Sequence, residues 1–468
     1  MAEPAPPSSS KPSSMVAGKS DAEVEELLDR MLTRLALCDD SKLQPLLSKL
    51  LPLCISSLSS NSAAVRNKVL EILSHVNKRV KLQPDIGLPL SELWELYSES
   101  AATPIIRNFC IVYIEMAFQR VSSKVRHPEK EDLAPILLVN ISKLPLQHQE
   151  IILRIIVKVI GECHSSQIGD QVAAKYKKVN NPQDRDLFIE FCLHTMLYQR
   201  VSQRSGNGGG YPGLSFVQAN RVTGKQQLQR DEILLRKLGI LNVIQAMDLS
   251  PELAYPLYIV ASVDCEEPVV KRGEELLKKK ASGANLDDLN LINRLFLLFN
   301  GTSGAENVES ESRVSPASPA LKAKLMSIFC RSIAAANSFP STLQCIFGCI
   351  YGNDTTSRLK QLGMEFTVWV FKHAKFDQLK LMGPVILSGI MKSLDNYSLE
   401  ADTSAREVKT YAFQAIGLLA QRMPQLFREK IDMAARLFHA LKAESQSLRH
   451  VVQEATVSLA AAYEACSL

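Results

Sequence analysis

The sequence predicts an all-α fold, an α-α superhelix of the HEAT or armadillo-like solenoid kind interrupted by two long loops. Three observations predict it. Glycine (21) and proline (22) are sparse in 468 residues and aromatics are only 6%, too few for a turn-rich or strand-rich chain. Apolar residues recur at helical spacing, joined by short polar turns, over most of the length. A short apolar-basic pattern returns at an interval typical of stacked helix pairs. Hydrophobic residues make up 46% and charged residues 22%, so burial offsets the ordering entropy and disorder is excluded as the dominant state.

Order begins at Ser20-Asp21-Ala22-Glu23, a capping box in which hydroxyl and carboxylate satisfy orphan N–H groups reciprocally. Residues 1–19 are rich in Pro, Ser and Ala and hold no Arg; they read as a disordered tail rather than an Arg-rich transit peptide. Val24, Leu28, Met31, Leu32 and Leu35 form the first apolar stripe. Asp39, Asp40 and Ser41 end that helix and start a second, carrying Leu43, Leu46, Leu47, Leu50 and Leu51. Pro52 is expected to kink or break it. A third run, Val65, Val69, Ile72, Leu73 and Val76, follows the turn at 59–62. HEAT-like repeats of this kind are expected over 20–201, 226–299 and 321–468, about ten helix pairs in one continuous array. Between them, 202–225 reads as a glycine-rich linker and loop, and 300–320 as a polar, Ser-rich disordered insertion.

The repeat itself shows as an apolar residue followed by Arg or Lys near a helix start. It appears as Val65-Arg66, Ile106-Arg107, Val270-Lys271, Leu359-Lys360, Val408-Lys409 and Leu448-Arg449. Neighbouring occurrences lie 41, 49 and 40 residues apart, in or near the period of HEAT and armadillo units. The apolar stripe packs on adjacent repeats, and the basic side chain reaches back to acceptors at a helix end.

No pattern for catalysis emerges. Gly224-Lys225 lacks the glycine at 219 and the hydroxyl at 226 that a phosphate loop needs, since Ala219 and Gln226 stand there. The glycines at 206–210 follow no strand, so the dinucleotide fingerprint is absent too. Cys345 and Cys349 sit four apart on an expected helix and read as core thiols rather than half a zinc site. The ten scattered cysteines point to reduced thiols in a cytoplasmic or nuclear protein. Trp94 and Trp369 read as packing residues, and His127, His148, His373 and His450 as single histidines without a nearby acid. A non-enzymatic chain with no cofactor and no metal is expected.

Charge narrows the partners. The net charge is +5 and the pI is near 8.6, too mild for a nucleic-acid footprint. The basic run from Lys271 to Lys280 encloses Glu274, spaced to pair with Lys278, and reads as a solvated helix face. No apolar stretch reaches the roughly 18 residues of a membrane span, so direct membrane insertion is not expected. Ser315-Pro316 and Ser318-Pro319 mark Ser315 and Ser318 as candidate proline-directed phosphorylation sites.

Five strings are recognisable as a set: VLEILSHVNKRVK (69–81), PGLSFVQANRV (212–222), YGNDTTSRLKQLGMEF (351–366), LMGPVILSGIMK (381–392) and GLLAQRMPQLF (417–427). In these strings and their order, over about residues 20–465, the chain resembles the N-terminal part of the large HEAT-repeat proteasome adaptor and scaffold proteins, the ECM-type proteasome-associated family. The resemblance implies a non-catalytic solenoid that binds proteasome core and regulatory particle subunits, tethers the two particles, and supports assembly or quality control. It also implies links to membrane-compartment and motor adaptors, and a cytoplasmic and nuclear protein peripherally associated with endomembranes. Such proteins are several times longer, so the chain is expected to be truncated, with Val457, Leu459 and Tyr463 exposed on its last helix. Contacts are expected through exposed helix faces and the 205–225 loop, with Phe216 and Arg221 as the candidate partner-binding residues. The alternatives are a transport receptor of the karyopherin class, typically acidic and so at odds with a charge of +5, and the solenoid portion of a larger kinase or ligase.

Overall fold

The computed structural model describes residues 19–120, 128–164, 169–200, 211–224, 227–302, 309–396, 403–428 and 430–467. These residues are all helix, turn and connection, with no strand among them. The 1–18 part of the expected tail, the glycines at 206–210 and His127 lie outside the described residues. Two compact units divide the chain at Glu190 and Phe191, where a single undivided array was expected. Each helix pair buries its stripe only on its neighbours, so separate units arise without a break in the helical pattern.

The first unit begins with α1 (Asp21–Leu37), α2 (Asp40–Ser57) and α3 (Ala63–Leu82), followed by α4 (Leu90–Ser98) and α5 (Pro104–Arg120). Then come α6 (Pro128–Leu137), α7 (Leu146–His164), α8 (Gly169–Lys175) and α9 (Pro182–Leu197), which contains the division. The capping box forms as expected: the Ser20 hydroxyl accepts from the Glu23 amide and the Glu23 carboxylate accepts from the Ser20 amide. Pro52 does not break its helix. It is buried within α2, which runs on to Ser57; packing of the flanking Leu50, Leu51, Leu53 and Ile55, all at most 1% exposed, outweighs the one lost backbone hydrogen bond. At the start of α9, the Asp184 carboxylate accepts from the amides of Asn140 (2.8 Å) and Ser142 (2.9 Å), fixing the turn after α6.

The second unit continues with α10 (Phe216–Thr223), α11 (Arg230–Met247), α12 (Pro251–Ala261), α13 (Glu267–Lys280) and α14 (Leu289–Asn300). It goes on through α15 (Pro319–Phe329), α16 (Ile333–Ala336), α17 (Ser341–Tyr351) and α18 (Ser357–His373). It finishes with α19 (Phe376–Asn396), α20 (Thr403–Arg422), α21 (Ile431–Ala443) and α22 (Gln446–Ser467). Its core includes Phe296 stacked on Phe329 at 4.4 Å and Phe329 tilted against Phe366 at 5.9 Å. A buried ion pair, Lys237 to Asp264 at 2.6 Å with both side chains 1% exposed, joins α11 to the turn before α13. Buried opposite charges hold each other in place because separating either would strand a charge away from water. On α13 the ion pairs are Lys271 with Glu267 and Arg272 with Glu275, while Lys280 reaches Asp248. These replace the expected pairing of Glu274 with Lys278. On α22, Val457 is exposed as expected, but Leu459 is buried and the Tyr463 hydroxyl donates to the Lys430 carbonyl. The stripe of α22 packs on α20 and α21, which covers Leu459.

Cations close the helix ends. Near the helix starts, Arg66 donates to the Ser60 carbonyl at 2.7 Å, Arg107 to Glu99 at 3.3 Å and Arg449 to Glu444 at 3.1 Å. The expected reach-back is therefore present in these repeats. A second set was not foreseen. In the last turn of α3, Arg79 spans the carbonyls of Leu35 (2.8 Å) and Cys38 (2.9 Å) at the end of α1. Arg120, the last residue of α5, spans those of Val80 and Gln83 at the end of α3. Arg422, the last residue of α20, spans those of Phe371 and Ala374 at the end of α18, both at 2.8 Å. Each guanidinium bridges two carbonyls three residues apart, one of them the C-cap, which lie 37 to 51 residues earlier in the chain.

Such charge-assisted bonds contribute about 1.5–3 kcal/mol each before neighbouring groups adjust. Arg422→Gln is expected to destabilise the second unit by about 2 kcal/mol. Thermal unfolding by circular dichroism, with amide exchange read at the α18–α19 junction, checks this; unchanged exchange there would mean the fork contributes nothing.

Candidate interaction surfaces

The segment expected as a plain loop holds a helix. Ser215 accepts from the Gln218 amide at 3.1 Å, and the Gln218 side chain accepts from the Ser215 amide at 2.9 Å, a second capping box. It nucleates α10, whose Ala219 and Val222 face inward. Gly213 precedes it at φ +79, and a Cβ there would lie 3.0 Å from the Leu197 side chain, so a side chain at this position would be strained. The Gly213 amide donates to the Ser315 carbonyl at 3.1 Å and the Ser315 amide donates to the Leu214 carbonyl at 3.1 Å. Tyr211 stacks on Tyr198 at 5.4 Å. These contacts dock α10: within the expected 300–320 insertion, of which 303–308 lie outside the described residues, the backbone at Ser315 and Pro316 holds it.

This arrangement separates the two candidate contact residues. Phe216, at the first position of α10, is 52% exposed, an aromatic ring presented by a rigid element rather than a loop. Arg221 is half-buried and lies near the α9 end, where burial of the His194 imidazole and, second to it, the Arg221 charge hold that imidazole down at about 4. Arg221 therefore belongs to the docking of α10 more than to its outer face. Ser315 is half-buried with its backbone committed to Leu214 and Gly213. Ser318 is the N-cap of α15, its hydroxyl accepting from the Leu321 amide at 3.4 Å.

Other helices expose apolar side chains at helical spacing. Leu381 and Val385 are 54% and 48% exposed one turn apart on α19, and Ile431 and Phe438 are 73% and 59% exposed on α21. Arg436 bonds Asp395 at 2.9 Å and ties these two helices together. Periodicity alone could not single these positions out, because burial depends on which neighbour arrives.

The chemistry-bearing residues go into packing. Cys345 and Cys349 are fully buried, as expected, and burial pushes the Cys345 thiol well up. None of the described cysteines is bonded to another, and among the described residues no group of three or more His, Cys, Asp or Glu is placed to hold a metal. Trp94 stacks on Tyr97 at 5.1 Å, and Trp369 donates to the Ser332 carbonyl at 2.8 Å. His148 is buried between the Tyr97 hydroxyl (2.9 Å) and the Asn108 side chain (2.8 Å). His450 does have an acid, Glu454 at 3.3 Å one turn on. No described helix is long and apolar enough to cross a membrane.

The depressed His194, with Arg221 of α10 as its second cause after burial, makes the fold around the α9 end acid-sensitive. Its folded value of about 4 lies below the unfolded 6.5, so the unfolded state binds the extra proton between those values. Stability from this group is complete above pH 6.5 and falls as pH drops toward 4, by about 2 kcal/mol at pH 5. Amide exchange of 216–223 is expected to accelerate between pH 7 and pH 5 after correction for intrinsic rates, and His194→Gln is expected to abolish that acceleration.

Known proteins match along the whole array. A protein-family model described as "Proteasome component ECM29, N-terminal" matches residues 28–467. The Homo sapiens proteasome adapter and scaffold protein ECM29 is 30% identical over 96% of this chain, and the Drosophila melanogaster ECM29 homologue 23% identical over 95%. The chain spans 26% and 23% of those relatives, about a quarter of their length. The solved yeast importin-beta, Kap95p, is 10% identical, with 96% of this chain and 64% of that chain covered and a TM-score of 0.34; it bears on nothing functional. With the family model and the relatives running through both units, the chain belongs to the ECM29 N-terminal family.

Proposed function

We infer that this chain is a non-catalytic adaptor segment that binds the proteasome. The observation that carries this reading is the match of the proteasome-component family over 28–467. The geometry supports it: Cys345, Cys349, His148 and His194 are packed away, and rigid helices present apolar side chains such as Phe216, Leu381 and Val385 outward. Tethering of the core and regulatory particles, and support of proteasome assembly, quality control and protein degradation, is the larger task we assign to the protein of which this segment is a part. A cytoplasmic and nuclear setting goes with that task. Peripheral association with endomembranes through membrane-compartment or motor adaptors rests on the family resemblance alone.

Phe216 is the residue we place at the contact, with Arg221 holding its helix in position. Purified chain and purified 26S proteasomes are expected to co-migrate on native gels. Phe216→Asp is expected to weaken that association about tenfold while leaving thermal stability within about 0.5 kcal/mol, since the ring is already half in water. An unchanged affinity would remove Phe216 from the interface, and absence of any co-migration would remove the adaptor reading.

Phosphorylation of Ser315 and Ser318 is the regulatory step we assign to the Ser-Pro pairs. A phosphate on Ser318 would sit at the N-terminus of α15, where amide dipoles favour negative charge. Ser315 must first release Leu214 and Gly213 to enter an active site in extended form. With a proline-directed kinase in vitro, Ser318 is expected to be modified faster than Ser315, as followed by mass spectrometry. The opposite order, or no modification of either, would overturn the assignment.

A further inference from the structure

The faces of α3 and α5 enclose an open groove of about 390 Å³. Leu70, Leu73 and Phe109 make its floor, with Ser74, Asn77, Lys78 and Lys81 along one side. Leu70 is 47% exposed, and Val112, one turn on from Phe109 along α5, is 50% exposed. The groove is held rigid at its centre, where the Tyr113 hydroxyl donates to the Asn77 side chain at 2.9 Å. Leu70 and part of Phe109 stay open to water above the buried Leu73, so a fixed scaffold presents a small apolar trough that a partner's side chain could cover.

Charge says which partner. The acids on these two helices are already engaged: Glu71 pairs with Lys68 at 3.1 Å, and Glu115 with Arg154 at 3.5 Å. Lys78 and Lys81 are exposed, and among the described residues neither has a hydrogen bond or ion pair. Lysines in a last helical turn ordinarily complement the terminal carbonyls. Here that work is done by Arg120, which occupies the carbonyls of Val80 and Gln83. The third cation of this stretch, Arg79, is taken up by the end of α1 and by Asp40. Two ammonium groups are thus left beside an apolar trough with no internal use.

We propose that the α3–α5 groove is a docking site for a short acidic segment of a partner protein, whose bulky apolar side chain enters over Leu70 and Phe109 while its carboxylates meet Lys78 and Lys81. The identification of that partner as a proteasome subunit rests on the adaptor reading above; the acid-plus-apolar chemistry does not. An acidic segment is steered in by the lysines and retained by the trough, so both parts are needed.

The test uses the full chain and two probes. The first is a fluorescein-labelled helical peptide with glutamates one turn from a leucine, beside the same peptide with lysines in place of the glutamates. The acidic peptide is expected to bind and the basic one not. Lys78→Gln/Lys81→Gln and, separately, Leu70→Ser are each expected to weaken binding about tenfold, while Lys278→Gln/Lys279→Gln on α13 leaves it unchanged. Circular dichroism confirms that each variant folds, and the neutral substitutions avoid placing negative charge at a helix C-terminus. Equal loss in the α13 control, or no discrimination between the peptides, would overturn the proposal. The second probe is the purified 26S proteasome. Loss of its binding in the groove variants supports the partner assignment. Undiminished binding there, with peptide binding lost, would sink that assignment but leave the adaptor reading standing. Should wild type bind peptide and not proteasome, the adaptor reading fails and the acidic-partner chemistry stands. Groove-dependent self-association, or groove-dependent binding to phosphatidylserine vesicles in place of peptide, would assign the trough to another occupant and overturn the proposal.

Discussion

Guanidinium groups laid across the carbonyl ends of an earlier helix set the axial register of this chain. Every helix ends with unpaired carbonyls and a concentration of negative partial charge. Stacking parallel helices side by side brings those like poles together. Arg79, Arg120 and Arg422 answer both needs, because each guanidinium is charged and presents donors in a planar fork that fits two carbonyls. Apolar stripes such as Val65, Val69, Ile72 and Val76 hold helices together sideways. They are tolerant of sliding by a turn, whereas a fork over Phe371 and Ala374 is not. Directional bonds therefore supply what non-directional burial cannot.

Much of the fold was legible because helical spacing and capping are local. The Ser20 box, the buried stripes of the first three helices and the reach-back of Arg66, Arg107 and Arg449 all rest on residues within a few positions of each other. What was not legible depends on distant neighbours. The terminal arginines look like ordinary helix-end cations until the carbonyls some 40 residues earlier are in place. Pro52 is tolerated because its surroundings are buried, which no local rule foresees. The second capping box, at Ser215 and Gln218, was present in the string but hidden behind the adjoining glycines. Leu459 is covered because α20 and α21 arrive beside it. Among the candidate contacts, Phe216 could be named from the sequence, but the assignment of Arg221 to docking needed His194, which the sequence places 27 residues away.

The division of labour between residue types follows from the architecture. Stacked helix pairs draw several of their thiols and imidazoles into the core, while others, such as Cys265 and His450, stay at the surface. Cys345, Cys349, His148 and His194 all become packing groups, three of them with partners or burial that disfavour their charged forms. Outward faces are left with side chains suited to contact: Phe216 on α10, Leu381 and Val385 on α19, Leu70 and the two lysines on α3. Recognition by such a molecule is a matter of where rigid helices point their apolar residues, and each repeat is free to change its outer face without disturbing its neighbours.

The forks also have a direction. In every case the arginine belongs to the later helix and the carbonyls to the earlier one. As the chain leaves a ribosome, each finished helix end therefore waits, open to water, until a further stretch of 37 to 51 residues has been made and folded against it. Where the forks occur, synthesis is in this sense a ratchet: α3 locks α1, α5 then locks α3, and later α20 locks α18.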